Sequence, residues 1–137
     1  MTYRWVDHTS ELELVIDAPT EEGVFADAFD AFVELTTGGL WGHEDERTEE
    51  SRALDVRADE RDSLLAELLE ELIYLADAQR FVPARLEALN LEPGRLSGAV
   101  HGRTGEPSTL VKAVTRHRLA FDRGNDGEFH ARLVLDV

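Results

Sequence analysis

The sequence predicts an α+β domain of two layers, in which two α-helices pack on one face of a largely antiparallel or mixed β-sheet. Two segments place apolar residues at helical spacing, and six others alternate between apolar and polar residues as half-buried strands do. Turn-forming sequences separate the last four strands, which is typical of an antiparallel meander. With 137 residues the chain can enclose one hydrophobic core, so we expect a single domain over residues 1–137.

The first strand and the first helix have clear boundaries in the sequence. The residues from Glu11 to Asp17 alternate and predict a strand. A helix is expected to begin after Thr20, a residue type that caps helix N-termini, and to end at Gly38-Gly39. Its apolar stripe consists of Phe25, Ala28, Phe29, Phe32 and Leu35. The charged segment 42–51 is predicted to be a loop.

The rest of the chain predicts one more helix and five more strands. The first of these strands runs from Arg52 to Ala58, and Asp59 is expected to cap the second helix. The helix has the most regular stripe in the sequence: Leu64, Leu65, Leu68, Leu69, Leu72 and Ile73. The reversals at residues 92–94 and 123–127 separate the later strands. These strands are predicted at Phe81–Leu91, Arg95–His101, Leu110–Asp122 and Glu128–Val137.

Alternation also predicts which side chains share the face of the sheet that the helices leave open. If the apolar residues of each strand face the helices, Glu11 and Glu13 of the first strand point to the open face. Asp136 of the last strand points the same way. The same argument places Lys112 on the open face together with Arg116. This placement requires that no bulge reverses the alternation of a strand.

The charge of the chain restricts its partners. The 29 acidic and 14 basic residues give a formal charge of −15, yet 42% of the residues are hydrophobic. The acidity therefore belongs to a solvated surface around a core and not to a disordered chain. An acidic surface poor in lysine is typical of a protein that works in concentrated salt. Because phosphate neutralisation requires a basic surface, we expect no direct binding to nucleic acid.

Several other classes of protein are excluded by what the sequence lacks. There is no cysteine, which excludes disulfides and thiolate chemistry. No apolar run approaches the roughly 20 residues of a membrane span, and the first residues do not resemble a signal peptide, so we expect a cytoplasmic protein without membrane contact. The five histidines do not have zinc-site spacing, and neither a phosphate-binding glycine loop nor a serine-nucleophile motif is present.

Lys112 is the one lysine of the chain, against thirteen arginines. A position that keeps lysine where arginine serves elsewhere indicates a need for a compact, flexible point charge and not for a planar guanidinium. A surface ion pair is a weak explanation, because such pairs contribute little stability. We therefore expect the Lys112 ammonium to act on a partner molecule.

Three motifs resemble the archease family. Residues 7–11, Asp-His-Thr-Ser-Glu, are similar to the family's Asp-His-Thr-Ala-Asp opening. Residues 111–117 are similar to its Val-Lys-Ala-Val-Thr-Tyr-His segment, and Asp136-Val137 stands where the family typically ends in Asp-Ile. The resemblance implies a non-enzymatic partner of the tRNA-splicing RNA ligase, the enzyme that joins a 3′-phosphate or 2′,3′-cyclic phosphate end to a 5′-hydroxyl. Such a partner promotes guanylylation of the ligase and its repeated turnover.

The resemblance also implies a divalent metal site, with calcium as the usual ion and magnesium as the second candidate. By position its ligands are Glu11, Asp136 and Val137, and Glu11 is one methylene longer than the family's aspartate. Asp7 and His8 belong to the same opening motif, in which His8 is expected to orient Asp7 or Glu11. A ligand set made only of oxygens suits calcium or magnesium better than zinc.

Two other functions fit the same residues. A metal-dependent hydrolase or phosphoryl-transfer enzyme could use a metal at Glu11 and Asp136, with Lys112 stabilising charge. Such an enzyme would turn over its substrate without any partner, whereas an activator would show no activity until the ligase is added. A general chaperone-like partner of RNA-modifying enzymes such as methyltransferases is the third reading, and capture of partners from a lysate would distinguish it from a ligase-specific protein.

Overall fold

A computed structural model describes residues 2–8, 10–38 and 49–137 of the chain, with His8 described by its backbone alone. Two helices and seven strands lie within these residues. In chain order they are β1 (Thr2–His8), β2 (Glu11–Ala18), α1 (Glu21–Thr37), β3 (Glu50–Arg57), α2 (Arg61–Asp77), β4 (Phe81–Glu92), β5 (Arg95–Thr104), β6 (Ala113–Arg123) and β7 (Phe129–Asp136).

The described strands form two antiparallel sheets. One has the order β1-β2-β7-β6 and the other the order β3-β5-β4. Each helix packs against strands of both sheets, α1 mainly against β2 and β4, and α2 mainly against β3, β4 and β6. The predicted α+β class is therefore confirmed. The strands nevertheless divide between two sheets where the sequence predicted one, because alternation shows which residues face the core and not which strands pair.

The first strand, β1, was not predicted. It pairs with β2 along its whole length, from Thr2 opposite Asp17 to the end of the strand. Tyr3 and Trp5 are partly buried against the core, and the Tyr3 hydroxyl donates a hydrogen bond to Glu34 of α1. The sequence of β1 alternates only from Thr2 to Trp5, since Val6 follows Trp5 directly and the polar opening motif begins at Asp7.

The helices begin and end for local reasons. The Thr20 side chain accepts a hydrogen bond of 3.0 Å from the Gly23 amide, as its N-cap position predicts. Gly38 ends α1 with φ 63°, a left-handed conformation that glycine adopts without a Cβ clash. The prediction that Asp59 caps α2 is wrong. The cap is Glu60, whose carbonyl accepts from the Leu64 amide at 2.9 Å and whose side chain makes no capping bond.

The core lies between the helices and the two sheets. Its largest side chains are almost fully buried, and each contributes roughly 1.5–3 kcal/mol through the apolar surface removed from water. They include Phe25, Phe29, Phe32, Phe81, Leu14, Ile16, Leu54, Leu64, Leu65, Leu68, Leu69 and Leu72. The predicted stripe of α2 is thus confirmed as core, and so is the α1 stripe except for Leu35, which is only partly buried. Neither of the described helices combines the length and the apolar character needed to cross a membrane. Residues 42–48 of the predicted loop lie outside the described residues. The last two positions of that prediction belong to a strand, because β3 begins at Glu50.

The turn between β6 and β7 holds an imidazole between two carboxylates. The Nδ1 atom of His130 lies 2.5 Å from Asp17 Oδ1 on β2, and its Nε2 atom lies 3.2 Å from Asp126 Oδ1 in the turn. Gly124 approaches the ring so closely that a Cβ there would lie 2.6 Å from Nε2. The hydrogen bonds to Asp17 and then to Asp126 favour the imidazolium and raise the pKa of His130 above its ordinary value.

We predict that His130 makes the stability of the protein depend on pH. Because the pKa is higher in the folded state, the two contacts stabilise the fold fully below the ordinary histidine pKa of about 6.5 and are lost as the pH rises through the raised pKa. His130→Gln should therefore flatten the fall in unfolding free energy over that window, measured by urea unfolding at a series of pH values. An NMR titration in which the ring titrates at or below about 6.5 would contradict this prediction.

A buried carboxylate in α1 destabilises the fold at neutral pH. Asp27 is 5% exposed, and its Oδ2 atom has no hydrogen-bond partner within the described part of the chain. Burial raises the pKa of Asp27, and the neighbouring Asp30 raises it further. The ionised carboxylate therefore costs folding free energy at neutral pH.

We predict that Asp27→Asn, which keeps the shape of the side chain and removes its charge, is more stable than the wild type, and that the difference in unfolding free energy is largest at neutral pH. The folded-state pKa is raised, so the wild type recovers stability as the pH falls through that value, and the difference between the two proteins should shrink. Unfolding free energies measured from pH 7 down to about pH 4 test this. A difference that does not change with pH would show that the Asp27 charge is well solvated.

Candidate metal and partner site

One end of the four-stranded sheet brings together residues from three distant parts of the chain. Glu11 on β2 lies directly opposite Asp136 on β7. The Val137 amide donates a hydrogen bond of 3.1 Å to the Ser10 carbonyl, so the chain remains attached to β2 beyond the end of β7. The Lys112 amide donates to the Asp136 carbonyl at 2.8 Å. These backbone contacts hold Glu11, Asp136, Val137 and Lys112 as neighbours.

The register places Glu11 and Asp136 on the same face of the sheet. Residues directly opposite each other in an antiparallel pair share a face, and successive residues alternate. Leu12 lies opposite Leu135, and the series that continues from them into the core faces the helices. Glu11 and Asp136 therefore project from the other face, where both are half-buried. Neither carboxylate has a hydrogen bond or an ion pair with any of the described residues.

The other two residues of the opening motif lie differently. Asp7 is exposed and lies opposite Leu12, so it occupies the face of the sheet opposite to that of Glu11. His8 is the backbone partner of Glu11, and its side chain lies outside what the structure describes, as does Thr9. The structure therefore does not bring Asp7 onto the face that carries Glu11 and Asp136.

Lys112 is exposed and lies just before the first residue of β6. Its neighbours fix the backbone, since Val111 and Val114 are buried and the Lys112 amide is bonded to β7. The flexible part of this residue is therefore its side chain alone. A rigid backbone under a four-carbon stem lets the ammonium reach beyond the surface of the sheet.

The predicted placement of Lys112 and Arg116 on the open face is wrong. Ala113 lies opposite Asp136 and shares its face, so alternation assigns Lys112, which precedes it, and Arg116 to the other phase. The Arg116 Nη2 atom lies 3.3 Å from Glu67 Oε1 and 3.8 Å from Glu70 Oε1, both on α2. The prediction is wrong because of a register shift, since Thr115 and Ala120 are five steps apart on β6 while their partners are two steps apart on β7. We call the unpaired residues the β6 bulge (residues 116–119).

Glu13 also departs from the prediction, because it is on the open face but is 6% exposed. Its carboxylate is covered by two guanidinium groups. Arg118 Nη1 of the β6 bulge lies 3.4 Å from Glu13 Oε2, and Arg132 Nε of β7 lies 3.3 Å from Oε1. Sequence reasoning missed this cluster, since the three residues meet only through the order of strands in the sheet and the shift in register. No local motif signals it.

The donors near the end of β7 determine which metal ions could bind there. No group of three or more histidine, aspartate or glutamate side chains within residues 2–8, 10–38 and 49–137 has the arrangement of a metal site. The carboxylates of Glu11 and Asp136 would therefore need main-chain oxygens and water to complete a coordination shell. Such an all-oxygen set with few protein ligands fits a hydrated calcium or magnesium ion and does not fit zinc.

Comparison with known proteins gives a consistent result over the whole chain. The model of the archease protein family (MTH1598/TM1083) matches residues 3–137. A protein archease of Pyrobaculum neutrophilum is 29% identical, over 98% of this chain and 95% of its own. A probable protein archease of Mycobacterium tuberculosis is 31% identical, over 98% of this chain and 74% of its own.

Solved structures share the fold. Protein 1598 of Methanobacterium thermoautotrophicum superimposes with a TM-score of 0.75 at 25% identity, covering 98% of both chains. The Thermotoga maritima protein TM1083, described as an archease and possible chaperone, superimposes with a TM-score of 0.67 at 18% identity, covering 100% of this chain and 98% of that one. The second likeness concerns the fold alone. Together with the family match along nearly the entire sequence, these findings show that the chain belongs to the archease family, whose members are accessory proteins and not catalytic enzymes.

Proposed function

We propose that this protein activates the tRNA-splicing RNA ligase that joins 3′-phosphate or 2′,3′-cyclic phosphate ends to 5′-hydroxyl ends. It would act in the cytoplasm by promoting guanylylation of the ligase and its repeated turnover. The observation that carries the proposal is the convergence of Glu11, Asp136 and Lys112 at one end of the four-stranded sheet. These are the residues that match the family motifs.

A divalent cation, calcium or magnesium, is proposed to bind beside Glu11 and Asp136. Two neighbouring carboxylates without partners among the described residues repel each other, and a cation relieves that repulsion. The main-chain oxygen of Val137 is the third proposed ligand, because the hydrogen bond from the Val137 amide to the Ser10 carbonyl keeps this residue beside Glu11. The bound ion would supply a fixed positive charge at this end of the sheet.

Lys112 is proposed to contact the ligase directly. Its exposed side chain starts from a backbone that is hydrogen-bonded to Asp136, so the main chain of Lys112 keeps a fixed position beside β7. An ammonium on a flexible stem can approach a phosphate or a carboxylate of the partner as a point charge. The proposed division of labour is that the carboxylates hold the cation and Lys112 contacts the partner.

Asp136→Ala should abolish calcium binding and leave the fold intact, because the side chain is half-buried at the end of a strand and makes no contact that holds the core. With few protein ligands, the wild-type dissociation constant should be on the order of 0.1–1 mM. Calorimetric titration of the chelator-treated protein with calcium chloride, and then with magnesium chloride, measures this.

Asp122→Ala is the matched control for this experiment. Asp122 is an exposed aspartate of the same sheet, and it lies opposite His130 at the other end. Calcium affinity should be unchanged in this variant. Equal affinity in the wild type and in Asp136→Ala would remove Asp136 from the site.

Lys112→Ala should fold normally and bind calcium as the wild type does, but lose stimulation of ligase guanylylation. Lys112→Arg should keep part of the stimulation, since the charge remains while the bulk and the geometry change. A time course of guanylylated ligase, with and without each variant, is the measurement. Arg4→Ala, which removes an exposed cation from β1 of the same sheet, serves as the control. Full stimulation by Lys112→Ala would assign this lysine to the solvated surface.

A further inference from the structure

The β6 bulge is a fixed structure and not a loose loop. Arg118 has φ 64°, in the left-handed region that residues other than glycine rarely adopt. Strained backbone of this kind persists only where the surroundings impose it, and it concentrates at functional sites. The surroundings are visible here, because Arg116 is bound to α2, Arg118 is bound to Glu13, and the His117 amide donates to Thr115 Oγ1 at 3.1 Å.

The β6 bulge is also the centre of a positively charged segment in an acidic protein. No aspartate or glutamate occurs between Glu106 and Asp122, although the chain contains 29 acidic residues. Lys112 and the three basic residues of the bulge, Arg116, His117 and Arg118, are all exposed. The local charge of this segment is therefore opposite to that of the chain as a whole.

The two arginines of the bulge keep hydrogen-bond donors for another molecule. Each guanidinium has five N–H donors, and the ion pairs described above use Nη2 of Arg116 and Nη1 of Arg118. Both side chains are 49% exposed. The intramolecular contacts therefore orient the two groups while about half of each side chain stays accessible, which lowers the entropic cost of binding a partner.

We propose that the β6 bulge and Lys112 form a docking surface for a carboxylate-rich patch on the ligase. This inference rests on the proposed function, since it names the surface through which the same partner is held. Guanidinium groups bind carboxylates in a two-pronged geometry that a fixed backbone can present. Lys112 is at the start of the same strand, so docking at the bulge would bring its ammonium, and the neighbouring carboxylates, to the partner.

The overall charge favours a protein partner over RNA at this surface. A nucleic acid carries a long, regular series of phosphates, and all those that extend beyond the bulge would face a chain of net charge −15. A patch of carboxylates on a protein is short and can meet the basic segment alone. Charge complementarity of this type acts chiefly on the rate of association and is weakened by salt.

The test is the binding of the full chain to the ligase, measured by biolayer interferometry at low and high salt. His117→Glu is the main variant, since the exposed His117 side chain makes no hydrogen bond or ion pair with the described residues, so its replacement removes none. Arg116→Glu is the second, with its folding checked by thermal unfolding. Arg4→Glu reverses an exposed charge elsewhere on the same sheet and is the control. Both bulge variants should associate with the ligase about tenfold more slowly and show weaker dependence on salt, while the control should behave as the wild type.

The outcomes separate this inference from the function on which it rests. If the wild type binds and stimulates the ligase but both bulge variants bind equally well, the docking surface is wrong and the activating role stands. If the wild type neither binds nor stimulates the ligase, both are wrong. A third arm uses bare tRNA as the probe, and tRNA binding by the wild type that disappears in His117→Glu would overturn the assignment of this surface to a protein.

Discussion

The antiparallel pairing of β2 with β7 is the constraint on which the rest of the structure depends. Its register, from Glu11 opposite Asp136 to Ala18 opposite Phe129, determines which residues of the two strands face the core and which face outward. A slip of one residue would turn Leu14 and Leu133 out of the core and separate the two carboxylates. The packing of the hydrophobic core and the geometry of the candidate site are therefore set by the same ladder.

Although acidic residues are in excess overall, individual carboxylates in this protein have specific arginine partners. Glu13 is nearly buried, and such a carboxylate is tolerated because Arg118 and Arg132 approach it from β6 and β7. Removal of either arginine would leave a poorly compensated charge at the base of the β6 bulge. Some of the few basic residues therefore have a structural role, because they form ion pairs between strands of the same sheet or between a strand and a helix.

The fold class and the helices could be predicted because they depend on local patterns. The Thr20 cap, the Gly38 stop and the leucine stripe of α2 are each encoded within a few residues. Division of the strands into two sheets could not be predicted, because it depends on pairing between distant segments. The same limit explains Arg116, whose direction follows from a shift in register that alternation does not contain.

The candidate site was reached from the sequence by a different route. Glu11, Asp136 and Lys112 were chosen by family motifs, and the outward direction of Glu11 and Asp136 by alternation, which is regular in β2 and β7. Glu13 was correctly placed on the open face, but its burial depends on the β6 bulge that covers it. Asp7 was grouped with the site by its place in the motif, and pairing with Leu12 puts it on the other face.

The position of β7 between β2 and β6 also bears on how the chain folds. Strands β1 and β2 are synthesised first, yet β2 obtains its second partner only from β7, and the contact between Asp17 and His130 spans 113 positions of sequence. Closing so long a loop is slow, because chain entropy is lost before the pairing is gained. Until β7 is inserted, both β2 and β6 present free edges that can pair with other chains. The interval before β7 emerges from the ribosome is therefore the stage at which the protein is most exposed to aggregation.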